Sequence, residues 1–140
     1  MIINAKNLLL GRFATVAAKK ALLGEKVVII NCEEAIISGK KNEVLKRYKA
    51  RVARGIPLKG PYHHRRSDML VRRAVRGMIP WKRDKGREAY KRIMCYVGTP
   101  KDYENKKYEN IKGANYNKLP TLKSLKVKEL CKLLGAKQWN

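Results

Sequence analysis

The stretch KVVIIN, residues 26–31, is the strongest indication of how this chain folds. It holds an unbroken run of β-branched residues, so it lacks the polar alternation of a half-exposed strand. A run of this kind is typical of a strand buried on both faces, as in a parallel sheet covered by helices. Parallel strands need a crossover connection, and the helical pattern over 11–24 supplies one before this run. The stretch therefore predicts an α/β domain.

Strand and helix patterns alternate along the rest of the chain. Further strands are predicted over 2–7, 35–38 and 93–97. Further helices are predicted over 41–54, 67–78, 124–135 and, for a turn or two, 87–92. Residues 98–118 are polar and are expected to form a long loop or basic extension. This order predicts a single domain over 1–140, with a mainly parallel sheet of about four strands wrapped by helices in three layers.

For two of these helices, the sequence also predicts where they begin or end and which residues face inward. Ser67 is expected to cap the helix over 67–78, which Pro80 then ends. Ser124 is expected to open the C-terminal helix in the same way. The inward face of the first of these helices is expected to hold five apolar residues: Leu70, Val71, Ala74, Val75 and Met78.

The charge of the chain indicates a polyanionic partner. Its 34 Lys or Arg and 11 acids give a formal net charge of +23. Residues 40–92 alone hold 19 Lys or Arg and 4 acids, a net charge of +15, so the excess is concentrated in a patch. The candidates are nucleic acid and an acidic membrane surface. The membrane is the weaker one, because the basic segments lack the Trp, Phe and Leu face of an interfacial helix.

The helix over 67–78 shows how the cations can be placed. Arg72, Arg73 and Arg76 take much of the face opposite its apolar residues. Arg72 and Arg76 lie one turn apart, so their planar guanidinium groups can reach neighbouring phosphates. Further cations follow Pro80, on an expected tight turn that contains Gly86: Lys82, Arg83, Lys85 and Arg87. The alternative is an ordinary solvated charged face, which normally mixes in more acids.

Motifs for catalysis and metal binding are absent from the sequence. His63 and His64 are adjacent and have no Cys or His partner at zinc spacing, so hydrogen bonding or stacking beside the patch, or simple surface residence, is expected. Trp81 can either stack on an unpaired base or pack at the edge of the core. Free thiols suited to a reducing, cytoplasmic interior are expected at the three cysteines, Cys32, Cys95 and Cys131.

These properties predict a small nucleic-acid-binding domain. RNA is favoured over DNA, because the sequence has no helix-turn-helix or zinc-finger pattern and a broad cation patch suits folded RNA. Two alternatives stay open at this point. One is an RNA-modifying enzyme on an α/β scaffold, and the other is a DNA-compacting protein.

Four stretches occur in the order and spacing of one known family. They are LLLGRFATVAAKKALLGEKVVIINCEEAIISGKK (8–41), the dipeptide GP (60–61), VRRAVRGMIPWKRDKGREAYKRIMCYVGTP (71–100) and SLKVKELCKLLGAKQW (124–139). The chain closely resembles the universal large-subunit ribosomal protein family numbered thirteen, in its archaeal and eukaryotic branch. It departs from the family pattern modestly, at Thr99 and Cys131.

The resemblance implies a structural protein that binds large-subunit ribosomal RNA early in assembly, beside neighbouring ribosomal proteins. It implies no catalysis. We also expect no cofactor, metal, membrane or small-molecule substrate. The RNA-facing segment of the family falls here on Arg72, Arg73, Arg76, Lys82, Arg83, Lys85 and Arg87. Further contact candidates are the turn before the helix over 41–54 and the loop that follows that helix: Lys40, Lys41, Lys59, His63, His64, Arg65 and Arg66.

Overall fold

The computed structural model describes residues 1–109, 111, 113–121 and 123–136. The strands are β1 (Ile2–Asn4), β2 (Val27–Ile30), β3 (Ile36–Ser38), β4 (Ile93–Cys95) and β5 (Ser124–Lys126). The helices are α1 (Leu10–Leu22), α2 (Lys41–Ala53), α3 (Ser67–Arg76), α4 (Asp84–Lys91) and α5 (Val127–Leu133). The predicted α/β class is confirmed.

Strand β2 is the centre of the main sheet. It pairs in parallel with β1 on one side and with β4 on the other, so Ile29 lies opposite both Ile3 and Cys95. Ile29 and Ile30 point to opposite faces of the sheet, and both have 0% exposure. The prediction of a strand buried on both faces is therefore confirmed, as is the crossover from β1 to β2 through α1.

Helix α1 packs closely because its buried face consists mostly of alanines. Ala14, Ala17 and Ala21 have 0% exposure, and Phe13 on the same face is also completely buried. Small side chains let the helix approach its neighbours, and α1 contacts both α3 and α4. The two helices that carry most of the predicted RNA-facing residues are thus seated on α1.

The weaker strand candidate, β3, does not join the parallel sheet. It pairs with β5 in a separate antiparallel sheet, with Ile37 opposite Leu125. The expectation that Ser124 opens the C-terminal helix is therefore wrong, and α5 begins at Val127. The reason is that the backbone groups of 124–126 bond to β3, and the Lys126 ammonium pairs with Glu34 at 2.6 Å.

Both ends of α3 differ from the sequence prediction. Ser67 is the first helical residue and not the cap, because Arg66 takes the N-cap position. The helix stops at Arg76, before Pro80 can end it. The helical period fails beyond that point, so Met78 is 42% exposed and not inward-facing, while Ile79 is buried in its place.

The described part of 98–118 runs back along the body of the domain. The Glu109 amide donates to the Ile2 carbonyl at 2.8 Å, and the Leu9 amide donates to the Ala114 carbonyl at 2.8 Å. Ala114 has 0% exposure and Ile111 has 8%. These contacts seat the polar segment beside β1 and the start of α1.

Gly86 lies in the first turn of α4, and the expected tight turn at this glycine is wrong. The Pro80 carbonyl oxygen is only 2.0 Å from the place where a Cβ on Gly86 would stand. The glycine therefore permits a close approach between two backbone segments, and this contact places the start of α4 beside the end of α3.

We predict that Gly86→Ala destabilises the domain by about 1–3 kcal/mol, because the new methyl group overlaps the Pro80 backbone. Gly11→Ala is the matched control, since Gly11 also lies in the first turn of a helix and has open space around its Cα. The control is expected to stabilise by about 0.5–1 kcal/mol through helix propensity. Urea unfolding measures both changes, and equal stabilities of the two variants would contradict the prediction.

Candidate nucleic-acid interface

Helix α3 presents guanidinium groups from a fixed position. Val71 and Val75 have 0% exposure and Leu70 has 6%, so the apolar face of the helix is buried in the core. The arginines of the other face are only half exposed, and neighbouring groups orient them: Arg72, Arg73 and Arg76. The predicted division of this helix into an apolar and a cationic face is confirmed.

Arg73 joins the loop before α3 to the helix. One terminal nitrogen of its guanidinium donates to the Tyr62 carbonyl at 3.1 Å, and the other lies 3.4 Å from Nε2 of His63. Burial, and then the neighbouring positive charge of Arg76, lower the pKa of Arg73 from its ordinary value. The positive charges of Arg73 and Arg76 are therefore close enough to interact in the free protein.

The end of α2 contributes two arginines that the sequence analysis missed. Burial lowers the pKa of His63, and the charges of Arg73, Arg51 and Arg54 lower it further. Arg51 also lies over the Tyr48 ring, 5.3 Å from its centroid. The sequence contains a signal for the position of Arg51, because this residue follows Tyr48 by about one helical turn and can therefore contact its ring.

We call Arg51, Arg54, His63, Arg73 and Arg76 the arginine cluster. Its members come from the end of α2, the following loop and α3. Arg73 has a direct contact with His63, and the charges of the others act on one of these two groups. The cluster is therefore one surface built from three consecutive parts of the chain.

An aromatic pair connects the cluster to α4. The rings of Trp81 and Tyr90 meet edge to face, with centroids 4.8 Å apart and planes at 80°. The Arg76 guanidinium lies 5.3 Å from the Trp81 ring centroid, and the Arg72 guanidinium lies 4.5 Å from the Tyr90 ring centroid. Each ring thus orients one arginine of α3.

The cations after Pro80 continue this surface around the start of α4. Arg87 donates to the Lys82 carbonyl at 3.3 Å and lies 3.7 Å from Asp84. All four of the predicted cations are exposed: Lys82, Arg83, Lys85 and Arg87. Together with Arg72 and the arginine cluster, these residues form what we call the basic surface.

The loop between α2 and α3 contains a small closed turn. The Ile56 amide donates to the Gly60 carbonyl at 3.2 Å, and the Gly60 amide donates back to the Ile56 carbonyl at 2.8 Å. Gly55 is required here, since its φ is +104° and a Cβ would stand 2.3 Å from the Gly60 carbonyl oxygen. The turn presents exposed Lys59 beside Leu58, which is 90% exposed.

Two predicted contact residues lie away from the basic surface. Lys40 pairs with Glu43 at 3.4 Å, and Lys41 pairs with Glu129 of α5. Lys41 and Arg51 are separated along α2 by about 15 Å, given a rise of about 1.5 Å per residue. The turn before α2 is therefore a separate location, where both ammonium groups already have acidic partners.

The basic residues that immediately precede α3 have different surroundings. Arg66 binds Asp68 through two hydrogen bonds, at 3.2 and 2.8 Å, and Asp68 is 8% exposed. Arg66 thus neutralises a buried carboxylate, which occupies its guanidinium group. His64 and Arg65 are exposed. How these three residues act toward RNA stays a prediction.

The described residues contain no group of three His, Cys, Asp or Glu side chains that could hold a metal ion. The two adjacent acids diverge, because Glu33 accepts from the Gly98 amide at 3.0 Å while Glu34 pairs with Lys126. An open groove of about 540 Å³ runs along α2, lined by Asn42, Leu45, Lys46, Lys49, Ala50 and Ala53. That lining contains no acid, His or Cys.

The cysteines are free thiols. Cys32 and Cys131 are buried, and Cys95 is half-buried. Burial, and then the charge of Asp68, raise the pKa of Cys131 to about 11, which disfavours its thiolate form. In the described part of the chain, no helix has both the length and the apolar character needed to cross a membrane.

Comparison with known proteins places this geometry in context. Residues 1–102 match the family described as Ribosomal protein L13. A relative from Methanopyrus kandleri is 45% identical over 136 residues, which cover 96% of this chain and 86% of that protein. A relative from Archaeoglobus fulgidus is 38% identical over 135 residues, again covering 96% and 86%. A third, from Methanococcoides burtonii, is 38% identical over 136 residues, covering 97% and 98%. Each is named large ribosomal subunit protein uL13.

Proposed function

The chain belongs to the ribosomal protein L13 family, and from this we propose that it is a structural component of the large ribosomal subunit. We further propose that it binds large-subunit ribosomal RNA through the basic surface. The observation that carries the proposal is the continuity of this surface across α2, the following loop, α3 and α4. A broad cationic surface of this kind suits RNA, whose double helices are recognised largely by shape and by phosphate contacts.

The physical support is the fixed position of the cations. Arg72, Arg73 and Arg76 are oriented by aromatic rings and by the loop before any RNA is present. Preorganised donors lose less conformational entropy on binding than flexible lysines on a tail. Planar guanidinium groups also suit two-point contact with phosphate oxygens.

A surface that is already formed in the isolated chain can bind RNA before neighbouring proteins arrive. We therefore propose that the protein binds early in assembly of the large subunit, in the cytoplasm, and then contacts adjacent ribosomal proteins. Binding by shape and charge is sufficient for this role. It needs no catalytic step, cofactor or metal.

Sedimentation tests whether the protein is a built-in component. Cell lysate is separated on a sucrose gradient, before and after a high-salt wash, and the fractions are probed with an antibody against the protein. We expect co-sedimentation with the large subunit through the wash, because built-in proteins are held by shape as well as charge. Loss at moderate salt, or a peak near the top of the gradient, would contradict the proposal.

Charge reversal tests where the RNA binds. We predict that the triple variant Lys82→Glu, Arg83→Glu and Lys85→Glu weakens binding to large-subunit RNA on the order of a hundredfold at 100 mM salt, because three phosphate contacts are lost. Binding of the unmodified protein should fall roughly a thousandfold or more between 50 and 200 mM salt if six or more phosphates are contacted. Filter binding across this range measures both effects.

The matched control changes the same number of charges away from the basic surface. Lys19, Lys26 and Lys128 are exposed lysines in other parts of the fold, and their substitution by Glu alters net charge equally. We expect this control to lose much less affinity, and urea unfolding verifies that both triple variants fold. Equal losses in the two variants would mean that net charge, and not the basic surface, governs binding.

His63 gives the interface a predicted pH dependence. In the free protein, burial and the nearby arginines lower the pKa of His63. RNA phosphates would offset the charges of Arg73, Arg51 and Arg54, so the pKa of His63 rises in the complex. The complex then binds more protons than the free protein, and affinity increases as pH falls.

We predict that RNA affinity rises between pH 7.5 and 5.5 at constant salt, because the complex binds more protons than the free protein. His63→Gln should flatten this increase, because Gln does not titrate. His64→Gln is the comparison, since that exposed ring is in the same loop and is itself a candidate RNA contact. We expect it to change the pH profile less than His63→Gln does. An unchanged pH profile in His63→Gln would exclude His63 as the cause.

A further inference from the structure

We propose that Trp81 and Arg76 form a stacking platform for one unpaired nucleobase. This inference rests on the proposed function and names the part of the RNA that this end of the basic surface recognises. The ligand is a base that lies outside a duplex, in a loop or bulge, with its phosphates beside the surrounding cations. Four observations support this assignment.

The first observation is that Trp81 is held at the surface by its backbone. Its amide donates to the Ile79 carbonyl at 2.7 Å, and Ile79 is 6% exposed. On the other side, Gly86 packs directly against the carbonyl of Pro80. The main chain around Trp81 is thus fixed between the ends of two helices, and the residue is left 39% exposed.

The second observation is that the ring itself has a defined orientation. Tyr90 meets it edge to face at 4.8 Å, and Tyr90 is anchored on α4. The Arg76 guanidinium lies 5.3 Å from the Trp81 ring centroid. An oriented indole next to a planar cation matches the surfaces on which proteins stack unpaired bases.

The third observation concerns Arg72, which lies beside the aromatic pair. Its guanidinium is 4.5 Å from the Tyr90 ring centroid. Arg72 is half-buried, so its position is fixed by its surroundings. Its positive charge next to the platform favours an anionic ligand.

The fourth observation is the chemistry that surrounds the ring. Lys82 and Arg83 follow Trp81 directly and are exposed. A ligand that fits this place needs a planar π surface and a negative charge next to it, and a nucleotide has both. In a duplex the faces of the bases are covered by their neighbours, so only an unpaired base can stack on Trp81.

Fluorescence of Trp81 reports stacking directly. The chain has two tryptophans, and Trp139→Phe leaves Trp81 as the only indole. This protein is titrated with deproteinised large-subunit RNA, and then with two synthetic hairpins. Both hairpins are closed by the same non-nucleotide linker, so they have no loop bases, and they differ only by a single bulged adenosine. We expect quenching with the large-subunit RNA and with the bulged hairpin, and little with the fully paired hairpin.

Substitution of Trp81 gives the second measurement. In the same background, Trp81→Leu should weaken binding to the bulged hairpin by roughly 5- to 100-fold, the range expected for one base–aromatic stack. Its affinity for the paired hairpin should stay within about twofold, because the phosphate contacts remain. Trp81→Phe should keep most of the affinity. Urea unfolding checks that each variant is folded. If Trp81→Leu is unstable, the fluorescence titration of the Trp139→Phe protein still tests whether a base stacks on Trp81.

The outcomes separate this inference from the proposed function. Salt-dependent binding to large-subunit RNA without quenching, and without an effect of Trp81→Leu, would overturn the platform and leave the RNA-binding role intact. Equal quenching by both hairpins would overturn the requirement for an unpaired base. Failure to bind large-subunit RNA at all would instead contradict the proposed function.

Discussion

Burial of the apolar face of α3 is the interaction on which the cationic surface depends. Leu70, Val71 and Val75 are nearly or completely buried, and each such side chain stabilises the fold by about 1.5–3 kcal/mol. Repulsion between two exposed like charges about 4 Å apart costs about 1 kcal/mol in a water-like dielectric and is screened by salt. Packing therefore outweighs the repulsion between neighbouring arginines, so α3 can hold them close together.

Sequence reasoning succeeded for the long, strongly patterned elements and failed for the short ones. The β-branched run at Val27–Ile30 can be satisfied only by burial on both faces, so its role was readable in advance. Ser124–Lys126 is too short to show a period, and its strand pairing depends on β3, a distant part of the chain. A Ser before an apolar helical pattern suggested a cap, but the competing backbone partner decided the outcome.

Only the part of the basic surface that depends on local sequence patterns could be predicted. Arg72, Arg73 and Arg76 follow from the two faces of one helix, which are visible locally. The contribution of Arg51 depends on how the loop between α2 and α3 folds. Arg73 fixes that loop through its contacts with Tyr62 and His63. Similarly, the partner of Lys41 is Glu129, 88 residues away, so charge alone could not show that this lysine is already paired.

The aromatic pair explains why this surface uses arginine where α3 meets α4. The Arg76 guanidinium lies 5.3 Å from the Trp81 ring centroid, and the Arg72 guanidinium lies 4.5 Å from the Tyr90 ring centroid. A guanidinium has five N–H donors, so an arginine next to a ring retains donors for a phosphate. A lysine has only one ammonium group for both contacts. The rings therefore orient the cations, and the fixed backbone at Pro80 and Gly86 keeps Trp81 open to solvent. The groups that we propose for phosphate binding and for base stacking thus lie at adjacent points of one surface.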